Sequence, residues 1–171
     1  MITQTLTTAR LVLRLPQERD FVACVGFWAS DRSDLMDGRW TAAETRIEFD
    51  DLRAQWAKHG FSLLAVTFKG SENIIDLIGP FDPVTHPEPE LGRSLWDAAL
   101  EGRGIALEAA VASRDRFFAA TSYRTAVSYT GPDNHRSHRL CERMGAAADD
   151  AAPCRYPPPV RIYRHYAQVA A

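Results

Sequence analysis

The stretch FSLLAVTFKGSENIIDLIG, residues 61–79, constrains the fold more than any other part of the chain. Two apolar runs flank KGSEN, a short polar turn containing glycine, and together they read as a β-hairpin. A hairpin joins antiparallel strands, so a sheet made only of parallel βαβ units is excluded. Upstream, RLVLRL, Arg10 to Leu15, alternates as a strand with one buried face does. Pro16 then opens a helix in which Phe21, Val25 and Trp28 recur at helical spacing. TAAE, Thr41 to Glu44, fits a capping box. Phe49, Leu52 and Trp56 mark the buried stripe of the helix it starts, and Gly60 ends it.

Downstream, DPVTHPEPE is a proline-broken loop that delivers the chain into ELGRSLW, a short strand. LEGRGIALEAA follows, with a helix to about Ala120, and RTAVSYT, Arg124 to Thr130, is another strand. GPDN breaks it, and a last helix runs from about His135 to Met144 and Gly145. The tail RYPPPVRIYRHYA holds a proline run and a final strand. The order β-α-α-β-β-β-α-β-α-β predicts an α/β fold with a mixed, mostly antiparallel sheet and helices on both faces. The 171 residues suffice for one domain, 1–171, and not for two comfortable ones.

Hydrophobic residues make up 46% and charged residues 25% of the chain, with a net charge of −2. Such a balance gives no global attraction to nucleic acid or to an anionic membrane. No apolar run approaches the ~20 residues of a membrane helix. The N-terminus, MITQTLTTARLVLR, has no basic region followed by an apolar one, so a cytoplasmic location is expected. Cys24, Cys141 and Cys154 show no CxxC spacing, which argues against a disulfide framework or a zinc site. His135 and His138 form the one helix-spaced histidine pair, with no third ligand of matching spacing, so no metal is expected.

Gly102-Arg103-Gly104 lies between a strand and a helix. A helix start offers unpaired N–H groups and partial positive charge, and glycine lets the backbone approach an anion closely. Glycines also occur in ordinary strand-to-helix loops, so the pair alone does not decide between the two. A Walker loop is excluded because GK[ST] is missing at the helix start. A dinucleotide fingerprint is excluded because GRGIAL has leucine where the third glycine belongs.

NHRSHRLCERMGA, Asn134 to Ala146, supplies the pattern Asn-x-x-Ser-x-x-Leu-x-Glu-x-x-Gly. Taken with the strand, the Gly-Arg-Gly loop, the helix and the strand before it, this order resembles the GNAT superfamily of acyl-CoA-dependent N-acyltransferases. The closest likeness is to its ribosomal-protein N-terminal acetyltransferase branch. TARLVLRLPQERDF is similar to that branch's opening strand and first helix, FSLLAVTFKGSENIIDLIG to its central hairpin, and EPELGRSLWDAALEGRGIALEAA to its acyl-CoA strand and loop.

The resemblance implies a splayed pair of parallel strands, the first carrying Glu90, Leu91, Gly92 and Arg93 and the second running from Arg124 to Thr130. The exposed backbone of the first would pair with the pantetheine arm of acetyl-CoA. Gly102, Arg103, Gly104, Ile105 and Ala106 would hold the pyrophosphate. Asn134 matches a position that bonds the pantetheine arm, although it also suits a helix cap. Ser137 matches the serine near the cofactor sulfur, able to donate a proton to the departing thiolate. Arg139 and Arg143 form a basic edge suited to the adenosine 3′-phosphate or simply to solvent. Leu140 and Met144 read as core, and Glu142 as support for the fold.

Several positions depart from the family pattern. Glu101 stands where glutamine or arginine usually begins the loop, and a carboxylate beside a pyrophosphate is unfavourable unless it points away. Cys141 stands where many members carry a tyrosine general acid; a thiol can protonate a thiolate, but buried cysteine is more often inert packing. Ala146 replaces an aromatic residue, and AAPCRYPPPVRI is poor in strand signals where another strand belongs.

Amide formation needs a neutral amine, and some group must take its proton. Glu90, on the cofactor strand, is the first choice as base, and it also reads as a charged residue at a strand edge. His86 and His165 are runners-up. No nucleophile is visibly paired with a base, so direct attack in a ternary complex is expected. A backbone N–H near Leu91 to Arg93 would stabilise the oxyanion. The leading expectation is transfer of acetyl from acetyl-CoA to a primary amine, on a protein N-terminus or a small molecule. The alternatives are a catalytically weak acyl-CoA sensor or interaction module and, more remotely, a nucleotide-dependent oxidoreductase. A monomer and a homodimer both fit, with aromatics near the C-terminus favouring the dimer.

Overall fold

The computed structural model describes residues 5–36, 38–82, 87–154, 156–157 and 159–168. Its strands are β1 (Thr5–Thr7), β2 (Leu11–Arg14), β3 (Leu64–Phe68), β4 (Ile74–Phe81), β5 (Glu90–Arg93), β6 (Thr125–Thr130), β7 (Ala147–Ala148) and β8 (Arg161–Tyr166). Its helices are α1 (Phe21–Trp28), α2 (Ala42–His59), α3 (Ile105–Ala120) and α4 (His135–Arg143). One sheet joins the strands in the order β1-β2-β3-β4-β5-β6-β8-β7. Every neighbouring pair is antiparallel except β5 and β6, which are parallel. The mixed, mostly antiparallel α/β fold expected from the sequence is therefore the fold observed.

Alternation along the central hairpin sends successive side chains to opposite faces. Ala65 and Leu77 join Cys24 of α1 and Phe49 of α2 in one apolar cluster. Val66 and Ile78 join Ile105, Ala109 and Phe117 of α3 in the other. Both faces of the hairpin are covered, which is why LLAVTF is apolar almost throughout. In α3 the buried stripe is Ile105, Ala109, Ser113 and Phe117, at four-residue spacing. Its small members let the helix lie close: a Cβ at Gly79 would stand 2.7 Å from the Ser113 Oγ.

Local signals explain the ends. The Thr41 Oγ1 accepts from the Glu44 N–H at 3.2 Å, while the Thr41 N–H donates to the Glu44 carboxylate at 2.8 Å. Gly60 closes α2 in the left-handed conformation at φ 75°. Pro16 does not open α1 directly. A short 3-10 turn over Glu18–Asp20 intervenes, and Arg14 grips Asp20 with two bonds of 2.7 and 2.9 Å. Buried Cys24 and Phe27 form the inner face of α1, whereas Phe21, Val25 and Trp28 are half-buried. Two short strands, β1 and β7, were beyond the reach of periodicity, having three and two residues.

Asp76 is the polar exception in the hairpin. It is 1% exposed on β4, and its Oδ1 accepts from the Ser94 N–H at 2.8 Å and the Ser94 hydroxyl at 3.2 Å. Burial pushes its carboxyl up to about 7, against the opposing pull of these bonds and of Arg93. The folded protein thus keeps a proton there that the unfolded chain loses near pH ~4, so this group lowers stability as pH rises from about 4 to 7. Asp76→Asn is expected to unfold several degrees above the wild type at pH 8, with the advantage shrinking toward pH 4. A thermal-unfolding series across pH checks it; an offset that does not change with pH would show that Asp76 is not protonated in the folded protein.

Candidate functional site

The parallel strands β5 and β6 share one register pair, Glu90 with Val127, next to a bond from the Val127 N–H to the Pro89 carbonyl at 3.0 Å. No further pair between them follows among the described residues. The next β5 carbonyl, that of Leu91, accepts instead from the Ser128 hydroxyl at 2.9 Å and from the Arg93 Nη1 at 3.0 Å. Strand alternation turns the Arg93 backbone N–H toward the same side. β5 therefore presents an open edge at its Arg93 end, upstream of a 3-10 turn at Ala98–Leu100 and the glycine loop.

Gly102 and Gly104 both hold left-handed backbone, at φ 72° and 74°. The Arg103 carbonyl between them is drawn to the Arg10 Nη1 at 2.9 Å. Arg10 is itself fixed by Glu108, which accepts from the Arg10 Nε at 2.6 Å and the Arg10 N–H at 2.9 Å. The first bond of α3 runs from the Glu108 N–H to the Gly104 carbonyl at 3.0 Å. The N–H groups of Ile105, Ala106 and Leu107 are left outside the helical ladder, as at any helix start, and suit an anion.

A cavity of about 380 Å³ connects this loop to the end of β5. Of the residues expected from sequence, it is lined by Arg93, Gly102, Gly104, Ile105, Ala106, Asn134, Ser137 and Arg139. Glu90, Leu91, Gly92, Arg103 and Cys141 do not line it. Leu91 belongs to the core, and Gly92 answers to packing, since a Cβ there would stand 2.7 Å from the Phe81 ring. Arg103 contributes its carbonyl to the Arg10 clasp. The Asn134 side chain caps α4, its Oδ1 accepting from the Ser137 N–H at 3.2 Å, and still borders the cavity. The Tyr163 hydroxyl donates to Glu142 at 3.4 Å, a contact within the fold. His86 lies outside the described residues.

Sequence reasoning missed Arg32 and Arg136, which line the cavity with Arg93, Arg139 and Arg143. It also left Glu101 as an obstacle. The Glu101 carboxylate is bound by Arg136 and by the Arg32 Nη1 at 2.5 Å, and Arg32 donates further to the Leu95 carbonyl at 2.7 Å. Arg136, and then Arg32, hold the Glu101 carboxyl below the usual carboxylate range. Its charge is thus neutralised in place rather than turned away. Three segments far apart in sequence meet at this carboxylate, and no local motif announces that.

Deeper in, the Arg93 guanidinium joins β5, β6 and α4. Its Nη1 donates to the Ser128 Oγ at 2.8 Å as well as to Leu91, and its Nη2 to the Ser137 Oγ at 2.7 Å and the Cys141 Sγ at 2.8 Å. Cys141 is fully buried, and burial pushes its thiol up despite the neighbouring Arg93. His165 continues the network with Nε2 at 3.0 Å from the Ser128 Oγ. Burial, followed by the charges of Arg93 and Arg114, brings the imidazole down to about 3. A ring so held stays neutral at pH 7 and is too weak a base for an ammonium proton.

The sequence model of the acetyltransferase (GNAT) domain matches residues 10–147. The chain belongs to the GNAT acetyltransferase family. An acetyltransferase from Agrobacterium tumefaciens str. C58 is similar at 37% identity and a TM-score of 0.90, over 96% of this chain and 95% of that one. The ribosomal-protein-S5-alanine acetyltransferase from Vibrio fischeri shares the fold at 18% identity and a TM-score of 0.74, over 95% and 96% of the chains. RimL, the ribosomal L7/L12 α-N-protein acetyltransferase solved in complex with coenzyme A, does so at 16% identity and a TM-score of 0.74, over 97% of each. These enzymes have the GNAT fold that the sequence likeness implied.

Glu101→Gln removes one negative charge from a cavity rich in guanidinium groups, so it is expected to tighten inorganic pyrophosphate binding several-fold at low salt. Isothermal titration measures this. Weaker binding in the variant would mean that Glu101 matters more as an organiser of Arg32 and Arg136 than as a competing charge.

Proposed function

We propose that this GNAT acetyltransferase moves acetyl from acetyl-CoA to a primary amine by direct attack in a ternary complex. The observation that carries the reading is one cavity spanning an anion-ready helix start and an open strand edge, with arginines along its length. The donor's phosphates bring about −4 at neutral pH, and five guanidiniums against the single Glu101 carboxylate leave the lining strongly positive. Two-phosphate dinucleotides such as NAD bring about half that charge.

Within this reading, Gly102 to Ala106 hold the pyrophosphate through backbone N–H groups. Arg136, Arg139 and Arg143 meet the 3′-phosphate. The end of β5 at Arg93, the β5 residue that lines the cavity, pairs with the pantetheine arm by strand addition. Phe27, Leu35 and Met36 supply the apolar wall on the other side of the cavity. When bound, acetyl-CoA supplies an activated acetyl group. The Arg93 backbone N–H faces the carbonyl oxygen, and the Ser137 hydroxyl stands ready as proton donor to sulfur.

An acyl-enzyme through Cys141 is disfavoured, because its thiol is buried and pushed up. Among the base candidates His165 is too acidic, and Glu90 sits outside the cavity lining. Ser94 lines the cavity and its hydroxyl donates to the Asp76 carboxyl at 3.2 Å, which makes this pair the remaining candidate route for the amine proton. The fold shared with ribosomal-protein acetyltransferases supports protein N-termini as one acceptor class, beside small amines.

A thermal-shift titration with acetyl-CoA, CoA and NAD, followed by thiol-release assays on an amine panel, tests the reading. Stabilisation by both coenzyme forms and not by NAD is expected, with thiol release on at least one amine. Acetyl-CoA binding without release on any amine would favour a sensor, and stabilisation by NAD alone would end the proposal. Gly104→Asp is expected to lose most CoA affinity, because it strains a left-handed position and puts negative charge at the pyrophosphate. Ser137→Ala is expected to lower turnover tenfold or more while leaving CoA affinity within about threefold; equal turnover would make Ser137 only a helix residue.

A further inference from the structure

Arg93 occupies an unusual place for a strand residue. Its guanidinium lies where β5 and β6 part, among Leu91, Ser128, Ser137 and Cys141, and it also lines the cavity. An arginine has five N–H donors. The four on the two Nη atoms match the four contacts, at 2.7 to 3.0 Å. The Nε is buried with no partner among the described residues. A carboxylate would be the ordinary companion of such a group, yet the acceptors in these four contacts are a carbonyl, two hydroxyls and a thiol. The guanidinium charge is thus held in place by neutral acceptors.

The contact with Ser137 has a direction. Arg93 carries only donors, so the Ser137 Oγ must accept, which leaves the hydroxyl proton free to point elsewhere. Ser137 lines the cavity, and an anion developing there would receive that proton donor and the fixed charge behind it.

We infer that Arg93 is a positioning residue at the sulfur end of the cavity, orienting the Ser137 hydroxyl as donor and stabilising negative charge on the departing thiolate. This rests on the acetyl-CoA reading given above, with the pyrophosphate at the glycine loop and the arm running to the strand parting. In the transfer, the amine lone pair forms the new C–N bond to the acetyl carbon. The C–S bond breaks, its electron pair stays on sulfur, and the amine proton passes to the base. A fixed cation lowers the energy of the sulfur anion without itself giving up a proton. Arg93 thus takes on part of the task of the tyrosine general acid that the family resemblance places where Cys141 stands, fully buried.

The charged and titratable groups around Arg93 are Cys141 from α4, His165 from β8 by way of Ser128, and Asp76 from β4. Asp76 titrates close to the range of interest, so the readout must be specific to sulfur. Ultraviolet absorbance of the thiolate meets that need, taken as the difference between Cys141→Ser protein with and without saturating CoA. Saturation is verified by calorimetry.

The bound CoA thiol is expected to have an acid constant at least tenfold above that of free CoA, whose thiol behaves as an ordinary one of pKa about 8.5. Arg93→Met is expected to abolish the increase while still binding CoA, and Arg93→Lys to retain part of it. A merely structural arginine would not move this constant. An unshifted thiol in the bound, unsubstituted-Arg93 protein overturns the inference without needing any Arg93 variant. So does an equal shift in Arg93→Met. Failure of the protein to bind CoA at all would instead bring down the acetyl-CoA reading on which the inference stands.

Discussion

Everything at the site follows from the early parting of two parallel strands. β5 and β6 stay in register for one residue pair, and the backbone groups beyond it need other partners. Ser128 and Arg93 supply them for Leu91, and in doing so they bring a cation between the sheet and α4. The open edge and the guanidinium are two results of one event. If the ladder continued, the Leu91 carbonyl would be paired within it and β5 would have no free edge to offer.

Charge is arranged in the cavity by the same economy of partners. Arginines from the turn after α1, from β5 and from α4 converge on the cavity, and their mutual repulsion calls for an offsetting charge. Glu101 accepts from two of them and joins the turn after α1 to the start of α4. Its position at the mouth of the glycine loop makes it a stand-in anion. In the proposed acetyl-CoA complex, a phosphate carrying more charge and more acceptor oxygens would take its place on the same guanidiniums.

Much of the fold was legible in the sequence, because hairpin, capping box and helix periodicity are local signals. α3 ended at Ala120 and Gly60 capped α2 as those signals indicated. β1 and β7 were not legible, since a strand of two or three residues has no periodicity and exists only through its neighbour. At the site the glycine loop and α4 could be read from motif: Gly102, Gly104, Ile105 and Ala106 of the loop, and Asn134, Ser137, Arg139 and Arg143 at α4, all line the cavity. Arg32 and Arg136 could not be read, because their role depends on a partner 69 or 35 residues away. Arg93 was read through its backbone alone; only the packing of α4 against the strand parting shows where its side chain goes.

The clasp of Arg10 on the glycine loop links two ends of the folding problem. The Arg103 carbonyl is held by a residue 93 positions earlier, at the entry to β2. Thr8 and Glu108 close the same long-range junction at 2.5 Å. Contacts so distant in sequence are slow to form and are among the first that opening of an edge can release. The loop's anion-binding shape is thus as durable as the docking of the outermost strands. Fraying of the chain's first strand would reach the glycine loop as a loss of order while the hairpin core stayed intact.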